Sequence, residues 1–141
     1  MGHEQYTFID LCAGLGGFHL ALHKLGMKCV FASEIDKIAR EVYKKNFSKI
    51  SPGLFDKNFN IDMFDIVDDE LPDFDMCCAG FPCQPFSQIG RKRGFKEKLD
   101  KRGIVFSKIL EIISIKKPKC FLLENVQHIS KHDNGNTLQI I

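Results

Sequence analysis

Cys83, which lies between two prolines, is the residue of this sequence best placed to do covalent chemistry. It belongs to GFPCQPFSQIG, residues 80–90, directly after an apolar run typical of a buried strand. Pro82 and Pro85 fix their own φ angles and disfavour helix at the residues before them, which predicts a stiff bend. A thiol held by such a bend at the carboxyl end of a strand is a candidate nucleophile. The alternative is a buried structural cysteine, the commoner kind.

A carboxylate follows the next apolar strand. Glu124 ends the run CFLLE and is followed by Asn125. If the two strands are neighbours in a parallel sheet, Glu124 and Cys83 converge at the same edge. A Glu124 buried among its apolar neighbours would tend to keep its proton, and it could then donate that proton or a hydrogen bond to a substrate. The alternative is a structural acid bonded to nearby backbone.

Glycines at 14, 16 and 17 separate the first predicted strand from the first predicted helix. They would let the backbone approach a ligand, while Glu34, at the end of the second strand, could accept hydrogen bonds from the hydroxyls of a ribose. This spacing fits NAD, FAD and S-adenosylmethionine equally, although G-x-G-G differs from the pyrophosphate turn G-x-G-x-x-G. Asp62, after the third strand, is a candidate partner for an adenine amino group. The alternatives are an ordinary turn and a surface acid.

Charge and composition narrow the class of protein. The net charge is only +2, but residues 91–102 carry seven bases against two acids, and residues 62–75 carry seven acids and no base. Because these basic residues lie close to Cys83 in the sequence, we interpret them as a binding segment for a polyanion. The alternative is a loop whose charges are only solvated. Six cysteines without a CxxC pair predict reduced thiols and no metal site. We expect no membrane span and a cytoplasmic protein, because there is neither a long apolar run nor a signal peptide.

The elements that must position these residues alternate between strand and helix. Apolar runs predict five strands, at residues 6–13, 27–33, 59–61, 74–80 and 119–125. Apolar repeats at three and four predict helices at residues 18–26, 35–47 and 103–117. The alternation indicates an α/β fold with a mainly parallel sheet of about five strands. The fifth, predicted to be a buried strand, would expose a hydrophobic edge if it were the last, so we expect more strands or a partner chain to cover it.

Three segments in fixed order, FIDLCAGLGGFHLAL, GFPCQPFS and ENV, resemble the catalytic domain of the bacterial C5-cytosine DNA methyltransferases of restriction-modification systems. The resemblance implies a Rossmann-like S-adenosylmethionine-dependent methyltransferase fold, incomplete relative to the family. It implies that residues 1–141 are the amino-terminal part of the catalytic domain, without a target-recognition domain. The expected partners are double-stranded DNA and a complementing carboxyl-terminal subunit, or a second copy of the chain joined through the open edge.

The resemblance also implies a reaction. A cytosine flips out of the DNA duplex, because its target atom is unreachable within the stack. Cys83 adds to C6, Glu124 holds the N3 and amino edge, and C5 takes the methyl group, leaving S-adenosylhomocysteine. A base then removes the C5 proton and Cys83 departs.

The remaining site residues carry over from the matching motifs. The resemblance places Asp10 and residues 13–17 on the methionine portion of the cofactor, Glu34 on the ribose, and Asp62 with Met63 on the adenine. The implied cofactor-binding residues are Asp10, Cys12, Ala13, Gly14, Leu15, Gly16, Gly17, Glu34, Ile35, Asp62, Met63 and Pro82. The implied DNA- and base-binding residues are Phe81 through its carbonyl, Gln84, Ser87, Arg91, Lys92, Arg93 and Asn125. Cys12 and Ile35 stand where the family usually has aromatic residues, which implies weaker cofactor binding.

Two other classes of function are open at this point. The chain could be an inactive fragment that at most binds cofactor, or an NAD-dependent oxidoreductase with a redox cysteine. The PCQ and ENV motifs count against the oxidoreductase, and so does the missing G-x-G-x-x-G turn.

Overall fold

A parallel sheet of five strands forms the centre of the molecule. The computed structural model describes residues 5–81, 101–135 and 138–139. The strands are β1 (Thr7–Leu11), β2 (Lys28–Ser33), β3 (Phe59–Asn60), β4 (Met76–Gly80) and β5 (Cys120–Glu124). Their order across the sheet is β3-β2-β1-β4-β5, and every neighbouring pair is parallel. The α/β class and the parallel sheet predicted from the sequence are confirmed.

Helices and short 3-10 turns connect the strands. The helices are α1 (Gly17–Lys24), α2 (Lys37–Phe47), α3 (Leu54–Lys57) and α4 (Lys101–Lys116). Asp36 caps α2 by accepting a hydrogen bond of 2.7 Å from the Ala39 amide. Pro118 follows α4, where it cannot continue the helix. No helix in the described ranges is long and apolar enough to cross a membrane.

Each face of the sheet is covered by its own apolar cluster, because successive strand residues point to opposite faces. On one face, side chains of β1, β2 and β4 pack against α1, α2 and α3. This first cluster includes Phe8, Cys29, Ala32 and Cys78 with Leu22, Tyr43, Phe47 and Leu54. On the other face, residues of the same three strands pack against α4. This second cluster includes Ile9, Leu11, Phe31, Cys77 and Ala79 with Phe106, Ile109 and Ile112.

The prediction that β5 is a buried strand is wrong. Phe121 is 59% exposed and Leu122 is 43% exposed. Within the described residues β5 pairs only with β4, so it is an edge strand whose apolar side chains have little to pack against. The open hydrophobic edge expected for a terminal fifth strand is therefore present.

Candidate active site

A cavity of about 500 Å³ opens at the carboxyl ends of the strands. In this sheet the chain connections run outward in opposite directions from β1 and β4, and ligands of open α/β folds bind at such a point. The cavity brings together Glu34 and Asp62 from one side and Glu124 from the other. Its lining residues are Cys12, Ser33, Glu34, Ile35, Ile61, Asp62, Met63, Phe64, Gly80, Phe81, Val105, Glu124 and Val126.

Glu34 ties the glycine turn to the start of α2. One of its carboxylate oxygens accepts a hydrogen bond of 2.7 Å from the Gly14 amide, and the other accepts one of 2.8 Å from the Asp36 amide. The side chain is buried but lines the cavity. Since a carboxylate has about four acceptor positions, Glu34 retains capacity for ligand hydroxyls while it holds the turn.

Two glycines of the turn have backbone angles that favour glycine. Gly14 has φ +55° and Gly16 has φ +89°. A Cβ on Gly16 would overlap the Phe47 ring and lie 3.0 Å from the Tyr43 ring, so the turn packs directly against α2. Gly17 has neither constraint. The sequence prediction of a glycine turn between β1 and α1 is confirmed.

Cys12 precedes this turn and lines the cavity. Its φ is +55°, an uncommon backbone conformation for a residue other than glycine. Its sulfur lies 3.9 Å from the Met63 sulfur. Burial raises the pKa of Cys12 to about 12, with further contributions from the charges of Glu34, Asp10 and Asp62. The thiol is therefore protonated at neutral pH and is a poor nucleophile.

Asp10 is a buried acid at the end of β1. It is fully buried, and neither carboxylate oxygen has a hydrogen-bond partner among the described residues. Burial raises the pKa of Asp10 well above its usual range; the nearby backbone N–H of His19 lowers it, without reaching hydrogen-bond geometry, and the charge of Glu34 raises it further. A buried acid without a partner is a ready acceptor for a ligand cation, which would favour its charged form.

The ends of β4 and β5 are tied together at the cavity. Gly80 pairs with Glu124 in the register, and the Phe81 amide donates to the Glu124 carbonyl at 3.2 Å. The Asn125 side-chain amide donates to the Phe81 carbonyl at 2.8 Å. The side-chain oxygen of Asn125 is buried and has no partner in the part of the chain that the structure describes. The point at which the chain leaves β4 is thus fixed two residues before Cys83.

Comparison with known proteins identifies the family. The family described as C-5 cytosine-specific DNA methylase matches residues 6–141. The chain belongs to this methylase family. Type II methyltransferase M.HhaI of Haemophilus parahaemolyticus is 46% identical over 134 residues, which make up 95% of this chain and 38% of that protein. Type II methyltransferase M.HaeII of Haemophilus aegyptius is 46% identical over 138 residues, 98% of this chain and 40% of that protein.

Solved structures support the fold of this methylase family member. The crystal structure of the S. pombe Dnmt2 methyltransferase matches it with a TM-score of 0.67 at 22% identity. The match covers 97% of this chain and 39% of that one, which confirms the Rossmann-like methyltransferase fold. The chain spans about two fifths of the length of the curated relatives named above.

Several predicted site residues meet in the cavity, and others lie beside it. Glu34, Asp62 and Glu124 line it, together with Cys12, Ile35, Met63 and Phe81. Asp10, residues 13–17 and Asn125 are not part of the lining. The predictions for Pro82, Cys83, Gln84, Ser87, Arg91, Lys92 and Arg93 lie outside the described residues. Among the residues that are described, no group of three or more His, Cys, Asp or Glu could hold a metal ion.

The predicted burial of Glu124 is wrong. The residue is exposed, as are Leu122 and Val126 beside it. The physical reason is the edge position of β5, because burial depends on what covers the strand and not on its apolar composition alone. Glu124 still lines the cavity next to Gly80, so the predicted adjacency of the two strands is confirmed, whereas the predicted convergence of Glu124 with Cys83 involves a residue outside the described ranges.

His19 lies within the segment FIDLCAGLGGFHLAL, but it is not among the site residues predicted from the sequence. It is fully buried on α1, three residues before the buried Leu22. That spacing places both side chains on one helix face, and it is the signal that could have identified His19 as buried.

Proposed function

We propose that this chain carries the cofactor-binding and nucleophilic part of a DNA (cytosine-5-)-methyltransferase. The reaction is transfer of a methyl group from S-adenosylmethionine to C5 of a cytosine flipped out of double-stranded DNA, in the bacterial cytoplasm. The observation that carries the proposal is the shared cavity, in which Glu34 and Glu124 face a common space in a member of this family. Family membership favours this reaction over the NAD-dependent oxidoreductase.

The residues around the cavity fit S-adenosylmethionine. The unpartnered Asp10 suits the ammonium group of an amino acid, and Glu34 has acceptor capacity for two ribose hydroxyls. Asp62 suits the adenine amino group, with the apolar side chains of Ile35 and Met63 beside it. When bound, the cofactor supplies an electrophilic methyl group. Residues 13–17 would contact its methionine portion, and Pro82 would complete the site.

The chain's own residues would then activate the cytosine. The Cys83 sulfur forms a bond to C6 while Glu124 holds N3, so electron density moves to C5. After C5 has been methylated, a base removes its proton, the C5–C6 double bond re-forms and the sulfur leaves. The Phe81 carbonyl would accept from the cytosine amino group, since a carbonyl bonded to Asn125 keeps a second lone pair.

DNA would be held by the segment that follows Cys83. The basic side chains of residues 91–93 suit the phosphates of the DNA backbone, since Lys and Arg supply most of the sequence-independent affinity of DNA-binding proteins. Gln84 and Ser87 lie in the same segment and complete the proposed contacts.

A complementing polypeptide would complete the enzyme. The chain corresponds to about two fifths of its relatives, and β5 presents exposed Phe121 and Leu122 at an open sheet edge. A further polypeptide, in the same protein or in a second chain, would cover this edge and supply the target-recognition domain. A chain without such a complement would be the inactive fragment considered above.

A trapping experiment tests the function. The chain is incubated with S-adenosylmethionine, a polypeptide corresponding to the remaining part of M.HhaI or M.HaeII, and a DNA duplex of matching target sequence that contains 5-fluorocytosine. Because fluorine cannot leave C5 as a proton does, a covalent adduct should accumulate and survive denaturation. Mass spectrometry should locate it at Cys83.

Matched variants make the result specific. The Cys83→Ser variant should form no adduct, whereas Cys120→Ser, which changes an exposed cysteine on β5, should form as much as the wild-type chain. Cofactor binding without any adduct in the complete mixture would contradict the proposed reaction and support the fragment.

A further inference from the structure

A buried polar cluster lies beneath the glycine turn. The His19 Nδ1 atom lies 2.7 Å from the Tyr43 hydroxyl, and its Nε2 atom lies 3.1 Å from the Ser51 hydroxyl. The Tyr43 hydroxyl also lies 3.9 Å from the Cys29 sulfur. Both ring nitrogens of His19 thus have partners, on α2 and on the segment after it, and these fix the orientation of the imidazole.

The same imidazole stacks on the aromatic residues that support the turn. The His19 and Phe47 rings are parallel within 8°, with centroids 4.0 Å apart. The Phe47 and Tyr43 rings have centroids 4.7 Å apart. These are the two rings that a Cβ on Gly16 would meet. The glycine turn therefore rests on the Phe47 and Tyr43 rings, and His19 contacts both of these rings.

The turn transmits this position to the proposed cofactor site. The Gly16 amide donates to the Ala13 carbonyl at 2.9 Å, and the Ala13 amide donates to the Ser33 carbonyl at 2.9 Å. Between them, the Gly14 amide holds the Glu34 carboxylate. A shift of the rings beneath Gly16 would therefore move the backbone that orients Glu34 at the cavity.

We propose that His19 is a positioning residue for cofactor binding. Its imidazole holds Tyr43 and Phe47 against Gly16, and this contact fixes the turn that orients Glu34. The role rests on the proposed S-adenosylmethionine site. An imidazole meets both requirements of the position, because it offers a flat ring to Phe47 and one donor with one acceptor to the two hydroxyl groups.

Calorimetry with S-adenosylmethionine tests this role, with the chain in complex with the complementing polypeptide used above. The His19→Phe variant keeps a ring on Phe47 but loses both hydrogen bonds, so its Kd should rise about tenfold. Tyr43→Phe should weaken binding in the same direction. The double variant should bind no more weakly than His19→Phe alone, because both substitutions break the same hydrogen bond, the one between His19 and Tyr43. Lys24→Gln, a change of an exposed residue on the same helix, should leave the Kd unchanged.

A purely structural role predicts a different pattern. It would lower the Tm of the variants while the folded protein kept its wild-type Kd, so binding is measured well below each Tm. In steady-state methylation, the positioning role should raise KM for the cofactor and leave kcat unchanged. If His19→Phe does not fold, the loss of a single hydroxyl in Tyr43→Phe provides the same measurement.

Two failures are distinguishable. Wild-type protein that binds no S-adenosylmethionine would overturn the proposed function together with the role of His19. Wild-type binding with a Kd that changes less than twofold in the folded His19→Phe and Tyr43→Phe variants would overturn the role of His19 alone.

Discussion

At the residue scale, burial disfavours the charged forms of three side chains near the end of β1. Burial raises the pKa of Asp10 well above its usual range and raises the pKa of Cys12 to about 12. It lowers the pKa of His19 to about 4, with a smaller contribution from His23. Cys12 therefore does not compete with Cys83 as a nucleophile. The pKa of Asp10 would fall again if a positively charged ligand group bound beside it.

The lowered pKa of His19 predicts an acid-sensitive fold. An unfolded histidine has a pKa of about 6.5, so between pH 6.5 and 4 the unfolded chain binds more protons than the native one. The contribution of His19 to stability is thus fully present above about pH 6.5 and is lost as the pH falls toward 4. The loss is up to about 3 kcal/mol, since one pKa unit corresponds to about 1.4 kcal/mol.

Urea denaturation at pH 7 and at pH 4.5 measures this loss. The His19→Gln variant should lose less stability than the wild-type protein over the same interval, because the residue that takes up the proton is gone. His23→Gln should retain most of the wild-type loss. Equal losses in wild-type and His19→Gln protein would show that other groups set the acid sensitivity.

Individual site residues differ in how well the sequence predicts them. Glu34 and Glu124 end apolar strands, and a strand end is visible in the sequence, so their place at the cavity follows from the pattern. The exposure of Glu124 does not, because it depends on what lies beside β5. The contacts of His19 do not follow from the sequence either, since its partners Tyr43 and Ser51 are distant in sequence and meet it only in the packed fold.

At the scale of elements, the glycine turn separates two physical effects that a sequence motif combines. Gly14 has a positive φ with open space around it, Gly16 has a positive φ against two rings, and Gly17 has neither feature. Replacement by alanine should therefore cost different amounts of stability at the three positions.

We expect Gly17→Ala to be neutral within about 0.5 kcal/mol. Gly14→Ala should cost about 1 kcal/mol, the penalty of a left-handed backbone with a Cβ. Gly16→Ala should cost at least about 2 kcal/mol, because it must also displace the Phe47 ring. Chemical denaturation of the three variants gives the order directly, and equal costs at Gly14 and Gly16 would contradict the packing of the turn on α2.

The strands were predictable to within about two residues because each is a short apolar run bounded by turn residues or charges. The residues of α2 that are buried could not be predicted in the same way. Ile35 is 68% exposed and Ile38 is also exposed, whereas Tyr43 and Phe47 are buried. The helix starts only after the Asp36 cap, and the fit of two large rings under the glycine turn sets its rotation. The spacing of apolar residues in the sequence does not predict that contact.

At the scale of the whole molecule, the open edge of β5 is the surface through which we expect the chain to associate. Phe121 and Leu122 are both exposed, on opposite faces of an edge strand, and an edge strand is a known template for pairing with another chain. In sedimentation experiments the chain alone should therefore self-associate as its concentration rises. Phe121→Lys should shift it toward the monomer, because a charge on an edge strand opposes pairing.

The matched control is Leu25→Lys, a change of an exposed leucine that follows α1, far in sequence from β5. It should leave self-association unchanged. The complementing polypeptide should compete with self-association of the wild-type chain if both use the same edge. A chain that stays monomeric at all concentrations, or equal effects of the two lysine substitutions, would contradict this role of β5.

The two apolar clusters also imply an order of assembly during synthesis. The cluster under α1 and α2 draws mainly on β1, β2 and the helices made with them, so much of it can form early. The opposite face, with Ile9, Leu11 and Phe31, gains Met63, Ile66, Leu71 and Phe74 first, and it is completed only when Ile109 and Ile112 of α4 leave the ribosome. Exposed apolar surface on a growing chain attracts chaperones and aggregates. The nascent protein is therefore most vulnerable while the segment between β4 and α4 is being translated.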